Sequence, residues 1–584
     1  MPLRYDPRTA QRRNYETAQR HDIDIDIDIA TESIRMTTLT GNELVGETLR
    51  RMGVEAFFFL MGGPMNHALK AALDRGIRGV DVRHEQAAAM MAHAYARVTN
   101  RPGLCMGASG PGTINLTTGL ANALVDCSPV VAFGGGAPVS EYGTGTFQEI
   151  DQVAIMQPVT KWAERIYTTA RIPEFIDRAF RTALSGKPGP VFLDLPQDVL
   201  YGTVDEASVQ WPDLGRTFER ARPAGDPALV AEAIRLLAQA ERPLVLSGSG
   251  VFWSDAPDTL RRWLERTGMP ICTTPQGRGI LPEDHPDAVL NSRSTALRDA
   301  DFLLVVGTRL NYVFNKAQPP RVSGTAKMVR IDIDPGEIAA CDRAQVGIVG
   351  DAGRVLTQML EALPADLTPG RFAAWRSKLA AIEAERRPAQ ERDLSNAQTP
   401  IHPLRLCKEV RDFMDRDAIL CVDGQEILNF GRQSIPTFFP RHRLNSGTFG
   451  TMGVGLPFGI GAKVARPDKQ VIVLHGDGSF GLNGLELDTA MRHRIPVLVV
   501  ISLNGGWTAD PKKEKPGRDL GYTRFDLIAK DLGCHGEFVE KPEDIRPALE
   551  RAGAAVKAGR PALVNVVTDH NARATTTKFS PTST

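Results

Sequence analysis

Residues 475–507 read HGDGSFGLNGLELDTAMRHRIPVLVVISLNGGW, and this stretch has the form of one parallel β-α-β crossover. Gln470 to Leu474, just before it, is a short apolar strand. Gly476-Asp477-Gly478-Ser479 is a tight turn whose backbone N–H groups can face an anion. The turn feeds a helix whose buried side is predicted at Leu482, Leu485 and Met491, and Pro496 to Ser502 returns as a β-rich strand. The length suits a right-handed crossover, so both loops open at the carboxyl edge of one sheet, where α/β folds place ligands. Asp477 and Asn504, 27 residues apart, stand at those loops. One carboxylate, one amide oxygen and a carbonyl at Gly506 form a hard-oxygen donor set. It suits Mg2+ better than zinc and leaves positions for diphosphate oxygens and water.

Two other stretches bear on the same chemistry. GVDVRHEQAAAMMAHAYAR, from Gly79, is a strand ending at His84-Glu85 that runs into an Ala-rich helix. GTFGTMGVGLPFGIGAKVARP, from Gly447, is a glycine-rich turn holding Met452, followed by an apolar helix. Taken alone, Glu85 reads as a solvated helix-start residue and Met452 as a flexible gap-filler.

The rest of the chain is organised around these segments. Between Thr37 and about Val204, strands at Ala56–Leu60, Gly79–Arg83, Val130–Phe133 and Val191–Asp194 alternate with helical stretches, giving a first domain at 37–205. A Pro-rich linker leads to a central domain at 225–365, with strands at Pro243–Ser247, Phe302–Val306 and Met328–Ile333. A second linker precedes a third domain at 400–570. The predicted architecture is therefore three doubly wound α/β domains with largely parallel sheets. Residues 1–36, with the alternating DIDIDIDI run from Asp22 to Ile29, read as a flexible extension. Residues 571–584 read as a polar tail able to act as a lid.

Composition sets the class. The chain has 584 residues, 42% apolar, with 69 basic and 69 acidic side chains; that exceeds a single core, and the charge balance argues against a nucleic-acid partner. Seven scattered cysteines without a CxxC pair read as reduced thiols of a cytoplasmic protein. No stretch approaches the roughly 20 apolar residues of a membrane helix.

GDG followed by an Asn loop resembles the thiamine diphosphate (ThDP) motif shared by acetolactate synthases, oxalyl-CoA decarboxylases and 2-hydroxyacyl-CoA lyases. The usual Asn-Asn is Leu503-Asn504 here, which leaves the metal-binding second Asn in place. The resemblance covers nearly all of the chain after Met36. It implies that Asp477, Asn504 and the Gly506 carbonyl hold Mg2+. Gly476, Gly478 and Ser479 line the diphosphate, with Gly424 and Gln425 of the Asp423-Gly424-Gln425 turn beside it. Gly450 supplies a carbonyl to the aminopyrimidine, and Met452 is the wedge that bends the cofactor. Glu85 matches the activating glutamate, which in such enzymes promotes the imino tautomer that deprotonates the thiazolium carbon. Because Glu85 and the metal motif lie on different domains, the resemblance also implies a dimer or tetramer with shared active sites.

Within this family, GTRLNYVFNKAQPPR (307–321) resembles a segment of the acyl-CoA enzymes. Arg309, Lys316 and Arg321 are then candidates for CoA phosphates. Asp332 or Asp334 is a candidate for the ribose of a central-domain nucleotide, ADP before FAD. Phe147-Gln148 stands where oxalyl-CoA decarboxylases have Tyr-Glu, and Gln148 can bond a substrate hydroxyl or carbonyl. Trp507 and the basic run Lys512, Lys513, Lys515 and Arg518 replace the continuation typical of acetolactate synthases. The expectation is a 2-hydroxyacyl-CoA lyase releasing formyl-CoA and an aldehyde or ketone, with 2-hydroxyisobutyryl-CoA as the candidate substrate. The base for the substrate hydroxyl stays open among His84, Gln148 through water, and the cofactor. Oxalyl-CoA decarboxylase, an acetolactate synthase-like carboligase, and a silent nucleotide- or CoA-sensing protein are the alternatives.

Overall fold

The computed structural model describes residues 38–507, 514 and 516–574. The extension at 1–36, Lys512, Lys513 and Lys515, and the tail beyond Ala574 lie outside the described residues.

Three wholly parallel sheets carry the chain. The first runs Arg78–Asp81, Ala56–Phe59, Gly103–Gly107, Val130–Gly136, Val191–Pro196, Trp162–Arg165. The central sheet runs Ile271–Thr273, Pro243–Ser247, Phe302–Val306, Lys327–Asp332, Val346–Val349. The third runs Arg443–Leu444, Ile419–Asp423, Val471–Gly476, Leu498–Leu503, Ala562–Val567, His535–Val539. Numbered along the chain, the six strands of the first and third sheets have the same spatial order, 2-1-3-4-6-5. Thr38–Thr40 pairs antiparallel with Thr203–Asp205 and closes the first unit.

The strands are apolar on both faces because both faces are covered. Along Ala56–Phe59, Phe57 and Phe59 enter one core, and Ala56 and Phe58 enter another. Ile419 and Cys421 share that second core, whereas Leu420 and Val422 face a third-domain core of their own. One apolar cluster therefore joins the first and third domains. Its centre is the helix Glu85–Thr99, buried nearly all round, against the helix Gly455–Ala465. Each helix connects strands two and three of its own sheet. Their approach is close enough that a Cβ at Gly461 would lie 2.3 Å from the Met91 carbonyl oxygen.

The crossover at 471–503 departs from the sequence expectation in one respect. It contains two short helices, Asp477–Asn483 and Glu486–Arg492, and not one. Leu482 and Leu485 are exposed, at 53% and 62%, while Phe480, Leu487 and Ala490 are buried. Phe480, Leu487 and Ala490 fall on one helical face carried across the break at Gly484, and Leu482 and Leu485 lie on the other, so the sequence reading chose the wrong apolar set.

Candidate active site

Register brings the third-domain loops to one level. Asp423 pairs with His475, and Gly476 with Ser502, so Gly424, Asp477 and Asn504 all leave the sheet at its carboxyl edge. The first two loops flank the point where strand order reverses between strands one and three. Gly424, at φ +119°, backs onto the Gly476 amide, 3.2 Å from where a Cβ would stand.

Backbone amides hold the carboxylates of this edge. Asp477 Oδ1 accepts the Gly478 amide and Oδ2 the Gly505 amide, each at 2.8 Å. Asn504 Oδ1 accepts the Gly506 amide at 3.3 Å. Gly506 faces Asp519 in an antiparallel bridge whose bonds run from Trp507 N to Arg518 O and from Leu520 N to Gly505 O, leaving the Gly506 carbonyl outside the bridge. Burial pushes the Asp477 carboxyl up to about 6. A desolvated carboxylate beside an amide oxygen and an uncommitted carbonyl fits a hard divalent cation. Among the described residues there is no cluster of three His, Cys, Asp or Glu, so these neutral donors are needed to complete a set. Gly478 is sterically required, because a Cβ would lie 2.8 Å from the Trp507 ring.

Asp423 ties two cofactor-side loops together. Its Oδ1 accepts the Gly424 amide at 2.7 Å and its Oδ2 the Gly455 amide at 2.9 Å, which fixes Gly424-Gln425 against the turn that carries Gly450 and Met452. His475 adds a second tie. Its Nε2 accepts the Leu456 amide at 3.1 Å and its Nδ1 lies 2.9 Å from Ser479 Oγ, which bonds the Gly476 carbonyl at 3.0 Å. Burial lowers this imidazole to about 3, so it is neutral, with the proton on Nδ1. The Ser479 hydroxyl is thus spent inside the fold. Only its backbone amide remains for a diphosphate, as the turn's reading from sequence expected.

The first-domain half is separate. Glu85 opens its helix, with His84 as the cap accepting the Gln86 amide through Nδ1 at 3.1 Å. Its carboxylate is buried, 6% exposed, and Oε2 accepts Asn115 Nδ2 at 3.0 Å. Oε1 lies beside Gly112. Gln148, at φ +62°, packs its backbone on Gly110 and accepts the Ser109 hydroxyl at 3.4 Å; the neighbouring Phe147 is 84% exposed.

A cavity of about 3270 Å³ lies among the three sheets. It is lined by Gly424, Gln425, Gly450 and Met452 and, across from them, by Arg309, Arg321 and Asp332. Glu85, Gln148, Asp477 and Asn504 are not part of that lining. Arg309 donates to the Val125 carbonyl, so part of its guanidinium is committed. Burial raises the Asp332 carboxyl to about 6, while Asp334 pairs with Lys187 at 3.1 Å. Of the two aspartates offered for a ribose, Asp332 is therefore the one at the cavity.

Residues the sequence reading missed hold this arrangement. Glu486 is buried and its Oε1 accepts the amides of Arg83 and His84, at 3.1 and 3.2 Å, so a third-domain carboxylate anchors the backbone just before Glu85. Asp126, Gln276 and Asn445, one from each domain, meet around the buried Arg97.

Comparison with known proteins agrees with the geometry. Three family profiles match the chain: thiamine pyrophosphate enzyme, N-terminal TPP binding domain, over 39–155; the central domain over 230–359; and the C-terminal TPP binding domain over 429–566. The chain belongs to the thiamine pyrophosphate enzyme family. It is 33% identical to a probable acetolactate synthase of Mycobacterium bovis, covering 93% of this chain and 98% of that protein. It is 31% identical to 2-hydroxyacyl-CoA lyase 1 of Mus musculus, covering 91% and 94%. It is also 31% identical to oxalyl-CoA decarboxylase of Escherichia coli, covering 92% and 96%. The TPP-binding domains indicate thiamine diphosphate as cofactor. No helix among the described residues is long and apolar enough to cross a membrane.

Proposed function

We propose that the chain is a ThDP- and Mg2+-dependent carbon–carbon lyase that cleaves a 2-hydroxyacyl-CoA to formyl-CoA and an aldehyde or ketone, and runs in reverse as an acyloin condensation. The observation that carries this reading is the cavity. The cofactor-side residues Gly424, Gln425, Gly450 and Met452 open onto the same space as Arg309 and Arg321 of the central domain, which gives room and positive charge for a large phosphorylated thioester. The neutral Gln148 beside Gly110 favours a hydroxyacyl group over a second carboxylate, and so stands against oxalyl-CoA.

When bound, ThDP supplies a carbanion that adds to the thioester carbonyl and an electron sink for the bond that breaks. Asp477, Asn504 and Gly506 would hold Mg2+ and through it the diphosphate, and Met452 would impose the bend. Asn115 holds the Glu85 carboxylate in place, where it would share a proton with the aminopyrimidine ring. Retention of Glu85, Asp477 and Asn504 together speaks against a silent CoA- or nucleotide-sensing protein. The central edge at Asp332 suits a nucleotide such as ADP, with FAD the second candidate.

The protein is further proposed to be a cytoplasmic dimer or tetramer whose active sites pair Glu85 of one copy with Asp477 of another. Glu85 stands outside the cavity of its own chain, and Leu482, Leu485, Phe449 and Phe147 are exposed apolar side chains on site-bearing segments; both facts support this. Light scattering of the eluted protein tests it, with a monomeric mass as the contrary outcome.

The deciding experiment is mass spectrometry of products after incubation with ThDP, Mg2+ and 2-hydroxyisobutyryl-CoA, beside oxalyl-CoA and pyruvate. Formyl-CoA with acetone is expected. Formyl-CoA from oxalyl-CoA alone, or acetolactate from pyruvate, would move the chain to the corresponding alternative.

A further inference from the structure

We propose that Arg97, Asn122 and Asp126 of the first domain are positioning residues that hold the third-domain turn bearing Gly450 and Met452 in place at the cofactor. The proposal rests on the ThDP reading of that turn and not on which thioester is cleaved.

The turn needs support from outside its own sheet. The strand before it, Arg443–Leu444, has two residues and lies at the edge of the third sheet. From there to Gly455 the chain forms no helix or strand. A wedge can impose a shape on a cofactor only if its own backbone does not yield.

Two first-domain helices face this segment. His93 and Arg97 stand four residues apart on Glu85–Thr99, and Asn122 and Asp126 four apart at the carboxyl end of Thr117–Val125, so each pair shares a face. The faces meet: Asp126 Oδ2 lies 3.8 Å from Arg97 Nη1 and 3.6 Å from His93 Nε2. All four side chains are buried. Burial and the Arg97 charge keep His93 neutral, and its ring stands edge-on to Phe458, on the helix that follows the turn.

The cluster grips the backbone in three ways. Arg97 donates to the carbonyls of Asn445 and Arg443, at 2.9 and 3.3 Å. Asn122 Nδ2 donates to the Ser446 carbonyl at 2.9 Å. Asp126 Oδ1 lies against Gly447, which has φ +62° and where a Cβ would overlap that oxygen. Gln276 of the central domain closes the network: it accepts from Arg97 and donates to Asp126 Oδ2 at 3.1 Å and to Asn445 Oδ1 at 3.3 Å. Asn445 Oδ1 in turn accepts the Gly447 amide at 2.9 Å. Arg443, Asn445, Ser446 and Gly447 are thus each held by a first-domain side chain, three residues short of Gly450.

Docking of the two domains does not require these bonds. The apolar cluster around the helices Glu85–Thr99 and Gly455–Ala465 already joins them. A buried ion pair adds little net stability because desolvation opposes it. It is directional, however, and fixes a backbone in a way that apolar packing does not. The same helix opens with Glu85 and ends near Arg97, so the activating carboxylate and the support for the turn share one rigid element.

The test is backbone amide hydrogen exchange of the full chain, with and without ThDP and Mg2+, beside exchange of the thiazolium C2 proton of bound ThDP followed by NMR. Asn122→Ala removes one bond, and Arg97→Lys keeps a charge beside Asp126 but loses the fork. Each is expected to speed amide exchange across 445–452 by about 10- to 100-fold and to slow C2-proton exchange by about 10-fold. ThDP retention should stay within a few-fold, because Asp477 and Asn504 are untouched. Arg97→Met should exceed Arg97→Lys in both readouts. Wild-type amide exchange across the turn in Asn122→Ala and Arg97→Lys would overturn the hold. Faster amide exchange with C2-proton exchange at the wild-type rate would reduce the cluster to a domain joint and overturn its positioning role. A wild-type chain that binds no ThDP would overturn the cofactor reading and the turn's role with it, whereas amide exchange reads the hold on the turn without cofactor.

Discussion

The first and third sheets share the strand order 2-1-3-4-6-5, and the loops at their carboxyl edges carry different chemistry at equivalent places. After strand one the third sheet has Gly424-Gln425 and the first has Leu60 to Pro64. After strand two the third has Gly450 and Met452, and the first has Glu85. After strand three the third has Asp477, and the first has Ser109 to Gly112. On the third sheet, backbone amides converge on Asp423 and Asp477 and leave a set of oxygen donors. On the first, one side-chain amide, Asn115, holds one carboxylate. The topology fixes where a ligand can sit; the loop residues decide whether that place binds or activates. On the proposed function, the third-domain half is a binding device and the first-domain half an activating one.

The widest separation should come from removing one acid from each half. Asp477→Ala should abolish ThDP and Mg2+ retention, seen by equilibrium dialysis, and with it all turnover. Glu85→Ala should retain ThDP within a few-fold and lose roughly 100- to 10,000-fold in kcat, the scale of a lost acid–base group. If Glu85→Ala fails to hold the cofactor, or turns over as the wild type does, the division of labour is wrong.

Asn115→Ala probes the activating half more gently. It removes the bond to Glu85 Oε2 and leaves the carboxylate in place, so kcat should fall about 10-fold with ThDP affinity unchanged. A change in affinity without a change in kcat would place Asn115 in the binding half.

Gly478→Ala probes the binding half in the same spirit. The new Cβ would meet the Trp507 ring at 2.8 Å, so ThDP affinity should fall about 5- to 150-fold, the equivalent of an overpacking cost of about 1–3 kcal/mol. The double variant with Trp507→Ala should recover part of it. If the double variant binds no better than Gly478→Ala, the indole is not what enforces glycine there.

Legibility followed sequence distance. The parallel strands were readable because each is buried on both faces and appears as an apolar run: Pro243–Ser247 and Phe302–Val306 have the same bounds in sequence and structure. Asp477 and Asn504 were readable because one crossover fixes their spacing. Leu482 and Leu485 were misread because apolar residues were assumed to face their own chain's core, a face that Phe480, Leu487 and Ala490 occupy instead. Asn115 lies 30 residues from Glu85, and Glu486 lies 402 residues from His84; no local pattern encodes such partners.

The smallest expected effect concerns the joint between the halves. Glu486 faces the amides of Arg83 and His84, the Thr489 hydroxyl, at 2.6 Å, and the charge of Arg492. Burial outweighs these and raises its carboxyl from 4.5 to about 7. A carboxyl with a raised folded-state pKa holds its proton more tightly folded than unfolded. Its contribution to stability is therefore fully present below about 4.5 and is lost as pH rises through about 7. Glu486→Gln keeps the carbonyl acceptor for the two amides and removes the titration. The melting temperature of the variant should therefore fall less steeply than that of the wild type between pH 5 and 7, by roughly 1–3 °C over that interval. Identical slopes would mean that Glu486 stays ionised in the fold. Its bonds to Arg83 and His84 would then be charge-assisted throughout, and the anchor in front of Glu85 would be stronger than the burial argument allows.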